Sequence, residues 1–337
     1  MAFISEIAHF LPEYVLSNHQ INLEHPEWSA DKISSKTGIF NRHISDENEF
    51  SSDLGIKAAQ KLFEKNNTIK DSIDFLIFCT QSPDFLIPTT ACILQDKLGL
   101  NSNIGAIDIN MGCSGYLYGL SYAKGLILSG QAKNVLLITS ETYSKLINPQ
   151  DKSNKTIFGD GATASLISKQ PNTHMSGAIQ NFSFYTQGSG YDKLMVKNGG
   201  IKHKHLTAKD EFDIDGNYIK NDDYLFMDGK AVFQFTSFKV PPFIDRLLIS
   251  NNLDLNSVDL FIFHQANVFM MNFIRKRCKI PQDKFHIFIE NCGNTVSSSV
   301  PLALEDALMK KKIIKGSKVL LAGFGVGLSI SGTVIQF

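Results

Sequence analysis

The feature that most constrains this chain is an internal duplication spanning its whole length. Ile73-Asp74-Phe75-Leu76-Ile77-Phe78-Cys79 reads closely like Val258-Asp259-Leu260-Phe261-Ile262-Phe263-His264, 185 positions later. Lys133-Asn134-Val135-Leu136-Leu137-Ile138 reads like Ser317-Lys318-Val319-Leu320-Leu321-Ala322, 184 positions later. Each run is short, rich in β-branched or aromatic residues and apolar at nearly every position. That pattern fits a strand buried on both faces. Helix-like stretches at 89–98 and 269–277 follow the first strand of each half, and stretches at 114–128 and 299–309 precede the second. Residues 106–109 and 286–289 supply one further short strand in each half. The order is therefore β-α-β-α-β twice, over halves of about 1–170 and 171–337, and two such units pack as a layered α/β fold.

The segment 172–223 breaks the repeat. It is rich in Gly, Asn, Asp, Lys and His and has no sustained period. A loop this long in a compact fold usually serves function, so a cap over a substrate channel is expected. Lys202, His203, Lys204 and His205 inside it read as a solvated turn, and their spacing does not suit a metal site.

Charge excludes two classes of partner. The 33 Lys and Arg balance the 33 Asp and Glu, which leaves no footprint for nucleic acid or an anionic membrane surface. No apolar run reaches the roughly 20 residues of a membrane span. The first residues lack a basic region followed by a long apolar stretch, so a cytoplasmic protein is expected. The five cysteines, Cys79, Cys92, Cys113, Cys278 and Cys292, are odd in number, scattered and without CxxC spacing. They fit neither a disulfide scaffold nor zinc. Four read as core filler, and the question is whether one is a nucleophile.

The duplication supplies a test, because ligands of α/β sheets gather at the carboxyl ends of strands. Cys113 follows the strand at 106–109 and opens a helix, where the positive end of the helix dipole favours thiolate. His264 ends its strand directly and can act as base or donor. Asn294 stands at the counterpart of Cys113 in the second half and offers an uncharged amide donor. The small neighbours Gly112, Ser114 and Gly115 let a substrate carbonyl approach the backbone.

Together these residues resemble the 3-oxoacyl-acyl-carrier-protein synthase III family. The likeness is carried by Gly112-Cys113-Ser114-Gly115, His264-Gln265-Ala266-Asn267, Gly293-Asn294-Thr295 and Phe158-Gly159-Asp160-Gly161-Ala162. Thr37-Gly38-Ile39 with Arg42-His43-Ile44, and Gly323-Phe324-Gly325-Val326-Gly327, extend it over essentially the whole chain. The resemblance implies a homodimeric thiolase fold, a five-layer αβαβα sandwich of the two halves, working with an acyl carrier protein and acyl thioesters and without metal or organic cofactor. It implies that Cys113 takes an acyl group and that His264 and Asn294 hydrogen-bond the carbonyl of a malonyl thioester, whose decarboxylation drives C–C bond formation. The backbone N–H groups of Cys113 and Val326 would form the oxyanion hole. Substrate contacts would come from Met227, Gly229, Phe233, Ala266, Asn267 and Phe324.

Departures from the family pattern bear on the acyl donor. Where the family stacks a Trp on the coenzyme A adenine, this chain has Lys32, with Trp28 four residues earlier. Family arginines at the phosphates correspond to Lys36 and Lys152, and a further one to Phe269. Lysine keeps the charge but loses the bidentate fork. A carrier-bound donor, or coenzyme A in a shifted pose, is therefore expected in preference to coenzyme A bound in the usual manner. Ile87 replaces a Phe that reaches the acyl pocket across the dimer, which leaves room for a longer or branched chain. The alternatives are an acyltransferase of the same fold, passing the group from Cys113 to an alcohol or amine, and a catalytically silent partner subunit. Retention of Asn294 and of Cys113, respectively, speaks against them.

Overall fold

The computed structural model describes residues 1–172 and 175–337; Thr173 and His174, at the start of the expected cap, lie outside the described residues. The first half runs β1 (Phe3–Phe10), α1 (Ser51–Lys65), β2 (Phe75–Cys79), α2 (Thr90–Lys97), β3 (Gly105–Ile109), α3 (Gly115–Leu128), β4 (Asn134–Glu141) and β5 (Gly161–Ser168). The second repeats that order with β6 (Gly177–Thr186), α4 (Gly229–Ser250), β7 (Leu260–Phe263), α5 (Val268–Arg277), β8 (Phe285–His286), α6 (Ser299–Met309), β9 (Lys318–Gly325) and β10 (Ser329–Gln336).

The strands form one continuous sheet in the order β8-β7-β9-β10-β6-β1-β5-β4-β2-β3. Counted outward from its first strand, each half has the same arrangement. The two outermost pairings of each half are parallel and the inner ones antiparallel. The halves meet where Phe3 and Ile4 of β1 pair with Ala178 and Gly177 of β6. The duplication reaches single side chains. Asp74 accepts hydrogen bonds from the N–H groups of Lys133 and Asn134 at the start of β4, and Asp259 accepts one from Lys318 at the start of β9.

Helices α1 and α2 cover the outer face of the first half-sheet, while α4, with α5 packed on it, covers the second. Helices α3 and α6 lie between the half-sheets: α3 touches β2, β4, β9 and β10, and α6 touches β1, β5, β7 and β9. This is the five-layer αβαβα arrangement of a thiolase fold. Three apolar clusters hold the layers together, one under each outer helical layer and one between the two half-sheets around α3 and α6. Central side chains such as Leu117, Leu120 and Leu304 are wholly buried, each stabilising the fold by about 1.5–3 kcal/mol.

Three expectations are corrected. Each half carries a βαβαβαββ order, so the five-element repeat lacks the first strand and helix and the final strand. The strand expected at 286–289 is Phe285–His286 only, after which the chain turns toward Asn294. The segment 172–223 is not all loop: its residues Gly177–Thr186 form β6, a strand at the centre of the sheet whose polar positions mask its period. Short pairs follow it, Glu211–Phe212 with Tyr218–Lys220 and Leu194–Val196 with Leu225–Met227 just beyond the segment. His203 and His205 are exposed there, and among the described residues no three His, Cys, Asp or Glu side chains are placed to hold a metal. No helix among the described residues is long and apolar enough to cross a membrane.

Candidate active site

The ends of β3, β7, β8 and β9 converge on one cavity of about 310 Å³. Cys113, His264 and Asn294 all line it, with Phe324 and Gly325 from the end of β9. Of the contacts implied by the resemblance, Met227, Gly229, Phe233, Ala266, Asn267 and Phe269 also line it. Cys113 is 6% exposed and Phe269 63% exposed, so the cavity runs from the surface at Phe269 inward to the thiol. Near the surface Phe233 packs against Phe269 and Phe273 at ring distances of 5.8 and 4.9 Å. The walls are therefore apolar and the polar groups are few, which is the usual constitution of a ligand site.

Cys113 stands just before α3, whose first residue is Gly115. Burial pushes its thiol up to about 12, against hydrogen bonds from the backbone N–H groups of Val326 and Cys113 itself that favour thiolate. The expectation of a lowered value from the helix N-terminus is corrected, because desolvation is the larger effect. The same two N–H groups are those expected to form the oxyanion hole, and both already address the sulfur. Room for them depends on Gly325, where a Cβ would lie 2.7 Å from Sγ and where φ is +157°.

His264 continues the ladder of β7, its N–H donating to Ala322 of β9 at 2.8 Å. Burial depresses its imidazole to about 3, so the ring is neutral near pH 7. Nδ1 lies 2.7 Å from Oγ of Ser299, the first residue of α6. Ser299 Oγ also donates to the Val296 carbonyl at 2.9 Å, and that carbonyl receives the Ser299 backbone N–H as well. Turning the hydroxyl to Nδ1 would not strand the carbonyl, and would put the ring proton on Nε2.

Asn294 is held by the first half of the chain. Its N–H donates to Ile157 and its carbonyl accepts from Gly159. Its Oδ1 accepts the Val296 N–H at 2.9 Å, so the amide is fixed with Nδ2 as the remaining donor group. The motif Phe158–Ala162 thus acquires a cause. Phe158 lines the cavity, Gly159 holds Asn294, and buried Asp160 accepts from the N–H groups of Ser45 and Ser144. Arg42 is likewise structural, donating to Asn18 and to the Thr156 carbonyl in the interior.

Sequence reasoning missed the buried polar layer beneath the cavity. Glu141, at the end of β4, accepts from Ser297 Oγ at 2.7 Å, from the Gln81 N–H at 3.0 Å and from Ser82 Oγ at 3.2 Å. Burial raises it to about 8 despite these donors. Tyr143 donates to Gln81 Oε1 at 3.0 Å. The run Ser297-Ser298-Ser299, which begins three residues after Asn294, was the available signal for part of this layer.

Lys32, Lys36 and Lys152 do not line the cavity. The ammonium groups of Lys32 and Lys36 lie 5.6 and 5.8 Å from the centre of the Trp28 ring, and Lys152 pairs with Glu27 at 2.6 Å. They form a surface cluster on and beside the helix Ala30–Thr37, which packs on α5 and so flanks the cavity's outer end. Ile87 is 85% exposed and away from its own chain's cavity.

Comparison with known proteins gives the same answer by an independent route. The family models for 3-oxoacyl-[acyl-carrier-protein] synthase III and for its C-terminal part match residues 107–188 and 248–337. The chain is 34% identical over 328 residues to a beta-ketoacyl-[acyl-carrier-protein] synthase III of Clostridium perfringens, covering 97% of this chain and 96% of that one. A crystal structure of a 3-oxoacyl-(acyl-carrier-protein) synthase III superposes with a TM-score of 0.95 at 44% identity, covering 100% of this chain and 99% of that one. A 3-oxoacyl-(acyl-carrier protein) synthase from Burkholderia xenovorans gives 0.89 at 32% identity, covering 99% and 93%.

Proposed function

We propose, from the premise that the chain belongs to the 3-oxoacyl-[acyl-carrier-protein] synthase III family, that it condenses an acyl thioester with a malonyl-carrier thioester through an acyl group held on Cys113. The observation that carries the residue roles is the convergence of Cys113, His264 and Asn294 on one apolar cavity.

In the first half-reaction the Cys113 sulfur attacks the donor carbonyl. The carbon–sulfur bond of the donor breaks, one to Cys113 forms, and the thiol proton leaves on the departing thiol. The oxyanion that develops is held by the N–H groups of Cys113 and Val326, whose donors are fixed before the reaction begins. In the second, Nε2 of His264 and Nδ2 of Asn294 donate to the thioester carbonyl of the malonyl substrate. A carboxylate without a partner is costly in an apolar cavity. Loss of CO2 moves that charge onto the thioester oxygen, where the two donors wait. The enolate carbon attacks the acyl-Cys113 carbonyl, the carbon–sulfur bond breaks, and the Cys113 thiolate takes up one proton.

Donor choice follows from the lysine cluster. With Lys152 paired to Glu27 and Trp28 flanked by Lys32 and Lys36, the aromatic face and one cation are already engaged. This favours an acyl group delivered on a carrier protein over one on free coenzyme A, and the working enzyme is taken to be a homodimer. The test is acylation of Cys113 by the same acyl group on each donor, followed by intact mass and completed by addition of malonyl-carrier protein. Absence of any 3-oxoacyl product would overturn the reading.

A further inference from the structure

Residues 37–39 and 42–44 carry part of the family likeness, yet none of them lines the catalytic cavity. The segment that contains Arg42 threads between the two loops that meet at Asn294. On one side the N–H groups of Phe40 and Asn41 donate to the Glu290 carbonyl at 2.8 and 3.2 Å. There Nδ2 of Asn41 also donates to Oδ1 of Asn291 at 2.9 Å. On the other side the His43 carbonyl accepts the N–H of Asp160 at 2.8 Å. Arg42 stands where the two loops cross. A Cβ added at Gly293 would lie 3.0 Å from the Arg42 Cβ, and one added at Gly159 would lie 3.2 Å from it. The side chain is fully buried. Its guanidinium donates to the Leu16 carbonyl at 3.3 Å, to Asn18 Oδ1 at 2.8 Å and to the Thr156 carbonyl at 2.9 Å. Thr156 precedes Ile157, whose carbonyl accepts the Asn294 N–H at 2.9 Å. Burial lowers Arg42 to about 10, so it is charged at neutral pH, and among the described residues no carboxylate pairs with it. A buried charge without a counter-ion costs stability, so packing alone does not account for an arginine here.

We propose that Arg42 is a positioning residue for the condensation half-reaction: it fixes the crossing of the two loops and so aims Nδ2 of Asn294 at the malonyl thioester oxygen. This rests on the reading of Asn294 as a donor in that half-reaction and names what holds the donor in place. Without the guanidinium, the Thr156 carbonyl and Asn18 Oδ1 are left buried and unpaired, and the loop that carries the Ile157 carbonyl is free to shift. A displacement of about 1 Å in a reacting geometry can cost ~10² in rate. Loading of Cys113 depends on a different pair of donors, the N–H groups of Cys113 and Val326, to which Arg42 makes no hydrogen bond. The two half-reactions therefore respond differently to its loss.

The test joins the two partial reactions to a double-mutant cycle. Acylation of Cys113 is followed by intact mass, and CO2 release from malonyl-carrier protein is followed on the acyl-enzyme, in Arg42→Met, Asn294→Ala and the double variant. Arg42→Met, which fills the space without the donors, should load Cys113 within about threefold of wild type and release CO2 about tenfold more slowly or worse. In the Asn294→Ala background the same substitution should change CO2 release by less than about threefold, because the donor it positions is already gone. Arg42→Lys covers the case in which Arg42→Met does not fold. Its single ammonium lacks the fork that reaches three acceptors, so CO2 release should fall by about threefold or more while loading is kept. Equal losses in both half-reactions, unchanged CO2 release, or a loss as large with Asn294→Ala as without it overturns the proposal and leaves the acyl-cysteine intact. Wild-type CO2 release by Asn294→Ala alone would instead remove the reading on which the proposal stands.

Discussion

Ser299 Oγ lies 2.7 Å from Nδ1 of His264 while also within reach of the Val296 carbonyl. That serine hydroxyl decides which ring nitrogen is the donor. Turned to Nδ1, it leaves Nε2–H to face the cavity. Without it, Nδ1–H bonds the Val296 carbonyl and Nε2 is bare. Ser299→Ala should therefore slow malonyl decarboxylation about tenfold, the worth of roughly one hydrogen bond to a developing charge, and slow acyl transfer to Cys113 much less. CO2 release and intact mass, measured on the same preparation, separate the two. Equal losses in both would mean that Ser299 only supports the fold.

Asn294 is expected to act in the second half-reaction alone. Its Oδ1 is committed to Val296, so Asn294→Ala removes one donor to the malonyl oxygen. Removal of a single such donor costs about 10²–10³ in rate. Acyl-Cys113 should still accumulate in this variant and persist when malonyl-carrier protein is added. Failure to accumulate would show that Asn294 also serves loading.

The Cys113 thiol, pushed up to about 12 by burial, should be a slow target in the free enzyme. Thiolate is the reactive form, so alkylation at Cys113 should rise about tenfold per pH unit from neutral to about pH 9 without a plateau. Peptide mapping distinguishes it from exposed Cys92. A plateau in that range would mean that the helix end and the two N–H donors outweigh desolvation.

Glu141 gives a signature in stability. Its folded value is raised to about 8 from 4.5, so between those values the unfolded chain has released a proton that the folded chain retains. Its contribution to stability therefore falls as pH rises through that window and is constant above it, with a steepest slope of about 1.4 kcal/mol per pH unit. Glu141→Gln should lose this component, so the difference in unfolding free energy between variant and wild type should shift in the variant's favour from pH 5 to pH 8. A difference independent of pH would place the titration elsewhere.

The sequence exposed what lies at strand ends and concealed what depends on contacts between distant segments. Cys113, His264 and Asn294 were legible because a duplicated pattern of buried strands marks the strand ends they follow, those of Cys113 and Asn294 being counterparts. Gln81 with Tyr143, Glu141 with Ser297, and His264 with Ser299 are pairs from separate loops, and no local period announces them. Strand β6 escaped because Gln180, Asn181 and Ser183 interrupt its apolar positions. Helix α4 escaped because Pro241 and Pro242 lie inside it, and such residues ordinarily end a helix. The helix-dipole argument at Cys113 failed for a different reason: depth of burial is not written in the local sequence.

The most direct measurement is the stoichiometry of Cys113 turnover. Enzyme carrying an isotopically labelled acyl group on Cys113 is mixed with malonyl-carrier protein, and CO2, free Cys113 and labelled 3-oxoacyl product are counted together. One CO2 and one labelled product for each Cys113 released is the expected result, with Cys113→Ser forming no acyl-enzyme. Release of the acyl group to an alcohol or amine without CO2, or label found on a residue other than Cys113, would contradict the condensation mechanism.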